Sequence, residues 1–200
     1  MRGHIILLVA GVAVLTSANF ALPDEVQVYR SLDGAHTARV IAVQKSGAAG
    51  HESRIEIRKP DGSLVCDGDY TSSDGEHGST IGHVAWTPDS KFFVFSTHSS
   101  GGHQPWRSPV LFFDVSDARI HALDEYLPPV AESDFVLRPP DVLEVAIWTL
   151  FHEDFGIEGS IVLPISFKLS DLHEGKRRRP DNPPNCSQPT PKDGAAESGR

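Results

Sequence analysis

The sequence predicts an all-β protein of about three repeated antiparallel sheet units, arranged as an open stack of sheets or as a compact sandwich. Short runs rich in β-branched and aromatic residues alternate with Gly, Pro and Asp turn signals along most of the chain. Residues 92–95 form an unbroken apolar run of strand length. In addition, a unit of turn, strand, polar loop and second strand occurs three times. Together these observations favour stacked antiparallel sheets.

The central hairpin of this arrangement spans residues 84–115. A strand buried on one face alternates apolar and polar side chains, so the continuous run Phe-Phe-Val-Phe at 92–95 predicts cover on both faces. Leu111, Phe112 and Phe113 repeat the pattern after a polar loop at 98–108. Burying each Phe side chain contributes roughly 1.5–3 kcal/mol before the entropy cost is subtracted. The hairpin is therefore the predicted core.

The chain before the hairpin predicts shorter strands at 25–30, 38–43 and 54–58. The last of these alternates strictly, so it should have one face in water. A turn at Lys59-Pro60-Asp61-Gly62 has Pro at its second position and a Gly that is free to adopt a positive φ. This turn returns the chain into a strand at 64–66, and the polar, Gly-rich stretch 67–79 is interpreted as a loop.

The chain after the hairpin predicts a strand at 120–123, one helical turn at 124–127, and two strands at 142–151 and 160–169 joined by a loop. In the last strand the apolar side chains share one face: Ile161, Leu163, Ile165, Phe167 and Leu169. Pro164 lies on the other face. Because proline cannot donate to a strand ladder, it predicts an edge strand.

Three similar turns mark the repeat: Leu32-Asp33-Gly34, Pro88-Asp89-Ser90 and Pro140-Asp141-Val142. Their aspartates are 56 and 52 residues apart. A period near this length is typical of sheet repeats such as propeller blades, which run roughly 40–50 residues. The alternative is that these are ordinary antiparallel units at irregular intervals.

Residues 85–96, Ala-Trp-Thr-Pro-Asp-Ser-Lys-Phe-Phe-Val-Phe-Ser, resemble the strand entry W-S-P-D-G-K-x-L-A-F-x-S of Tol-type and WD-type β-propellers. Residues 112–115 resemble the next strand of such a blade, and 30–43 and 139–149 are weaker matches. The resemblance implies propeller-blade-like sheets. Propellers close with roughly four to eight blades, whereas this chain has room for about three. It therefore implies an open stack, a compact sandwich or a blade set completed by oligomers, and no single activity.

The N-terminus has the pattern of a secretory signal peptide. Arg2 precedes an uncharged apolar stretch at 5–15, and small residues follow it. Cleavage is predicted after Ala18 or Ala21, with small residues at both −1 and −3 favouring Ala18. A membrane anchor is the alternative, but the stretch falls short of the roughly 20 residues that span a bilayer. We therefore expect a signal peptide within 1–21, an all-β domain at 22–174, and a periplasmic or secreted protein without an integral membrane span.

Residues 175–200 lack apolar periodicity and are predicted to be a disordered tail. They carry six basic and three acidic side chains, and the whole chain has a net charge of −9, so the preceding residues carry −12. An acidic body would repel nucleic-acid phosphates, so a nucleic-acid partner is not expected. Cys66 and Cys186 suit an oxidising compartment, either as a disulfide or as two unpaired thiols.

Known catalytic motifs are missing from the sequence. It contains no P-loop, no G-x-S-x-G, no H-E-x-x-H and no C-x-x-C. We therefore predict no catalytic residue, no cofactor and no assigned metal ligand. One alternative is a metal-assisted hydrolase: if the repeats are real, loops carrying His51, His103 and His152 converge on one rim, which would suit zinc.

The loop 99–107 is the predicted ligand-binding site. It combines two glycines with His103, Gln104, Trp106 and Arg107. Trp and Arg dominate binding hot spots, so these four residues are expected to contact a partner protein or a small polar ligand. The predicted function is that of an exported binding or interaction module, with oligomers possible. A structural envelope component without a discrete ligand is the remaining alternative.

Overall fold

The computed structural model describes residues 25–45, 50–101, 108–150 and 161–174, which form three antiparallel sheets in chain order. The prediction of an all-β protein with three sheet units is confirmed. Within each sheet every strand pairs with the next strand along the chain, so each sheet is a simple meander.

Sheet 1 contains β1 (Val26–Arg30), β2 (Thr37–Val43), β3 (Glu52–Arg58) and β4 (Leu64–Asp69). Sheet 2 contains β5 (Ser79–Trp86), β6 (Phe92–Ser99), β7 (Val110–Asp114) and β8 (Arg119–Ala122). Sheet 3 contains β9 (Val136–Arg138), β10 (Val142–Leu150) and β11 (Ile161–Lys168), in the spatial order β11-β10-β9. Short 3₁₀ helices follow β8 and β11, at Leu123–Glu125 and Leu169–Glu174.

The central strands of sheet 2, β6 and β7, are buried on both faces. Phe92 and Val94 on β6 belong to an apolar cluster shared with sheet 3, whereas Phe93 and Phe95 belong to a second cluster shared with sheet 1. All four side chains are at most 3% exposed. The continuous apolar run therefore has cover on both sides, as predicted, and the three sheets form a stack with sheet 2 in the middle.

The three turns of the sequence repeat lie beside one another at one end of the stack. The Asp33 amide donates to the Ser90 hydroxyl at 3.1 Å, and the Asp89 amide donates to the Pro140 carbonyl at 3.1 Å. Between sheets 1 and 2, the Trp86 indole N–H also donates to the Tyr29 carbonyl at 3.0 Å. Neighbouring sheets are thus joined by polar contacts between equivalent turns as well as by apolar packing.

Strand β3 and the turn after it follow the sequence pattern closely. Ile55 and Ile57 are fully buried toward sheet 2, while the alternating residues Arg54, Glu56 and Arg58 are partly exposed. The turn closes through the Gly62 amide, which donates to the Lys59 carbonyl at 2.9 Å. Gly62 has a φ of +84°, a conformation that glycine adopts without steric cost.

The predicted loop at 67–79 is wrong at both of its ends. Strand β4 continues to Asp69, and β5 begins at Ser79. Both extensions are polar and pair through backbone hydrogen bonds. The sequence therefore shows no apolar periodicity there. A bulge between Ile81 and Val84 further obscures the pattern of β5. The short strand β9 was likewise not predicted.

Strand β11 is the edge of sheet 3 that the sequence predicts, but its apolar stripe is buried over only half its length. Ile165 and Phe167 pack against the core between sheets 2 and 3, and Leu169 is fully buried there. Ile161 and Leu163 are 47% and 46% exposed. The shared apolar face that the sequence predicts is therefore only half covered.

Cys66 lies in the core between sheets 1 and 2 and is disulfide-bonded. The one other cysteine of the sequence, Cys186, lies outside the described residues. Cys66 is therefore not an unpaired thiol. The predicted signal peptide and the predicted tail, residues 1–21 and 175–200, also lie outside the described residues. In the described ranges, no helix has the length and apolar character needed to cross a membrane.

Candidate functional site

The end of the stack opposite the three turns carries the connection between β6 and β7 that the sequence predicts to bind a ligand. We call this end the rim and define it by the described residues 50–53, 70–78 and 99–101. Strands β2 and β6 both run from the turn end to the rim, because each begins directly after one of the hydrogen-bonded turns.

A buried carboxylate, Glu52, lies at the base of the rim. Its side chain is on β3 of sheet 1 and only 1% of the residue is exposed. The backbone amides of Ser72 and Gly78 each donate to it at 2.6 Å. The hydroxyl groups of Ser72 and Ser100 lie 2.6 Å and 3.0 Å from its Oε1 atom. Glu52 therefore contacts both the loop 70–78 and the end of β6.

These contacts keep Glu52 ionised. Burial by itself would raise the pKa of this carboxyl group, because it penalises the charged form. The hydrogen bonds from Ser72, Gly78 and Ser100 outweigh that effect and lower the pKa of Glu52 to about 2. Within the part of the chain that the structure describes, the hydrogen-bond partners of the charged Glu52 side chain are thus neutral donors of the rim.

The loop 70–78 is organised further by Asp74. Its Oδ1 atom accepts hydrogen bonds from the Glu76 amide at 3.0 Å and the His77 amide at 3.3 Å, and its Oδ2 atom lies 2.6 Å from His77 Nδ1. The Glu76 amide, the Ser72 hydroxyl and His77 together lower the pKa of Asp74 below its usual range. The Asp74 and His77 side chains are 49% and 72% exposed, so the pair faces solvent.

Two glycines let the segments of the rim approach closely. A Cβ atom on Gly78 would collide with the Tyr70 carbonyl oxygen and with the Glu52 carboxylate. A Cβ atom on Gly101 would collide with the Glu76 carbonyl oxygen. The loop 70–78 and residues 100–101 are therefore in direct backbone contact, which the Ser100 amide completes by donating to the Gly78 carbonyl at 3.0 Å.

The two stems of the β6–β7 connection are attached to different sheets. On the first stem, Ser100 contacts Glu52 of sheet 1 and Gly78. On the second stem, the Ser108 amide donates to the Val130 carbonyl at 3.0 Å, and Val130 forms a bridge with Ile147 of sheet 3. The stems are thus held by the outer sheets on either side of sheet 2.

The predicted ligand-binding residues His103, Gln104, Trp106 and Arg107 lie between these stems, outside the described residues. His152 of the alternative metal site lies outside them as well, whereas His51 is described and exposed at the rim. Within the described ranges, no cluster of three or more His, Cys, Asp or Glu side chains is arranged to hold a metal ion.

A second polar cluster lies away from the rim, beside β8. His121 is 4% exposed, and its Nε2 atom is 2.9 Å from Asp117 Oδ2. Its Nδ1 atom is 3.4 Å from the Tyr126 hydroxyl, and its ring stacks on Phe112 with centroids 5.3 Å apart. The cluster fixes the 3₁₀ helix after β8 against the core.

Sequence reasoning missed Glu52 and its partners altogether. Ser72, Gly78 and Ser100 lie 20, 26 and 48 residues from Glu52 in the sequence, so no local pattern links them. A charged residue at the start of an otherwise regular alternating strand was the one available signal. No protein-family model, curated protein or solved structure matches the chain. Function therefore has to be inferred from the residues of the rim.

Proposed function

We propose that the protein is an exported binding module whose rim presents the β6–β7 connection to a partner protein or a small polar ligand. The observation that carries the proposal is the attachment of the two stems: Ser100 is held by Glu52 of sheet 1, and Ser108 by Val130 beside sheet 3. Binding residues are disproportionately found on loops that a rigid scaffold positions. A connection held at both ends by separate sheets meets that condition.

Four residues of the connection supply the contacts. Trp106 and Arg107 are the anchors, because a large amphipathic ring and a planar guanidinium are the side chains that contribute most at binding hot spots. His103 and Gln104 add polar contacts that fix the orientation of the ligand. The acidic body, with a net charge of −12 before residue 175, disfavours nucleic acid as the partner. Export rests on the signal peptide predicted within residues 1–21.

A photo-crosslinking amino acid with a large aromatic side chain, p-benzoylphenylalanine, at position 106 keeps an aromatic surface in place of the Trp106 ring and tests the proposal in cells of the native host. The matched control carries the same amino acid at Leu32, which is 78% exposed at the opposite end of the stack. Crosslinking at position 106 should give a discrete adduct, and crosslinking at position 32 should give none. Intact-mass analysis then distinguishes a protein adduct from a small-molecule adduct.

Arg107→Ala in the protein that carries the crosslinker at position 106 should reduce the yield of that adduct. No adduct from position 106 would contradict the proposal. The same set of adducts from positions 106 and 32 would also contradict it, because the crosslinks would then reflect exposure alone.

A further inference from the structure

Glu52 joins two rim segments that belong to different parts of the chain. Its Oε1 atom accepts from the Gly78 amide and lies within hydrogen-bond distance of the Ser72 and Ser100 hydroxyl groups. Its Oε2 atom accepts from the Ser72 amide. One carboxylate therefore fixes both ends of the loop 70–78 and the first stem of the β6–β7 connection.

The core does not depend on this carboxylate. Strand β3 packs against sheet 2 through Ile55 and Ile57, both fully buried, and pairs with β2 over its whole length. Glu52 lies at the rim end of the strand, where its partners are Ser72, Gly78 and Ser100. Removing the charge should therefore release the rim segments while the sheets stay packed.

We infer that Glu52 is the positioning residue of the rim: it holds the loop 70–78 and residues 100–101 as one unit, and so fixes the first stem of the connection to which the proposed function assigns ligand binding. This inference rests on the proposed function. A glutamine at position 52 would keep the size of the side chain but would replace one carboxylate oxygen by an NH₂ group. Whichever way the side-chain amide is turned, that NH₂ group would face the backbone N–H of Ser72 or of Gly78, which then lacks its acceptor. Leaving a buried donor unsatisfied costs free energy that the rim can recover only by opening to water.

Hydrogen exchange and crosslinking of Glu52→Gln test the inference together. The amides of Ser72, Gly78 and Ser100 should exchange about tenfold faster or more, whereas the amides in the interior of β6 and β7 should keep their protection. The yield of the adduct from position 106 should fall at the same time. A purely structural role would lower the melting temperature without this local pattern.

Glu56→Gln is the matched control. Glu56 lies on the same strand and the same face, four residues closer to the turn end, and its carboxylate pairs with Arg39 and Arg58 at 2.8 and 2.9 Å. This variant should leave the three rim amides and the adduct yield unchanged. If Glu52→Gln does not fold, the double variant Ser72→Ala with Ser100→Ala removes two hydroxyl donors and keeps the carboxylate, and the same two readouts apply.

Two results would each overturn the inference but leave the proposed function standing. One is unchanged hydrogen exchange of the Ser72, Gly78 and Ser100 amides in Glu52→Gln. The other is faster exchange of these amides with an undiminished yield of the adduct. The absence of an adduct from position 106 in the protein with Glu52 unchanged would overturn the proposed function and the inference with it. Faster exchange at the rim together with a reduced adduct, in Glu52→Gln but not in Glu56→Gln, is the result that we expect.

Discussion

At the scale of single residues, a buried charge at the rim is stabilised by neutral hydrogen-bond donors. Glu52 is paired with the amides of Ser72 and Gly78 and with two hydroxyl groups, and its hydrogen-bond partners within the described ranges include no cation. A carboxylate that accepts several hydrogen bonds is favoured in its ionised form. The stability of the rim is therefore linked to pH through this group.

The pKa of Glu52 gives the direction of that linkage. Its folded pKa of about 2 is below the ordinary value of 4.5, so its contribution to stability is present above pH 4.5 and is lost as the pH falls toward 2. We expect the melting temperature of the wild type to drop across this range more than that of Glu52→Gln. Melting curves between pH 7 and pH 2 measure the difference, and parallel curves for the two proteins would contradict the assignment.

At the scale of elements, β11 shows how an exposed strand edge is kept from pairing with other chains. The Ala131 amide donates to the Ala146 carbonyl at 2.8 Å, so Ala146 directs its backbone polar groups away from β11. Pro164 is the partner of Ala146 in the register. Its nitrogen therefore faces the free edge, where it removes a donor that an added strand would need.

Pro164→Thr should consequently raise self-association. The substitution supplies an N–H group to an edge whose neighbours Ile161, Val162 and Leu163 are 47%, 37% and 46% exposed. Sedimentation velocity over a concentration series measures the effect, and Ser166→Thr is the control, since it lies on the same strand and already has an N–H group. An equal degree of association in both variants would show that the proline does not protect this edge.

At the scale of the whole molecule, the sequence predicted those features that apolar patterning determines. The three sheets and the double cover of residues 92–95 follow from apolar runs and turn residues, and they are confirmed. The start of β5 and the site around Glu52 could not be predicted in the same way. They depend on polar contacts between residues up to 48 positions apart. Such contacts produce no periodic pattern of apolar residues in the sequence.

The central claim is that the rim connection binds a ligand and does not support the core. Thermal denaturation of two tryptophan variants tests it most directly. Trp86 donates to Tyr29 of sheet 1, and its partly buried ring packs against the core 5.1 Å from that of Phe93, so Trp86→Ala should lower the melting temperature sharply, since truncating a packed tryptophan costs up to about 3–5 kcal/mol. Trp106→Ala should leave it nearly unchanged, because surface substitutions usually stay within about 0.5 kcal/mol. A larger drop for Trp106→Ala than for Trp86→Ala would contradict the claim.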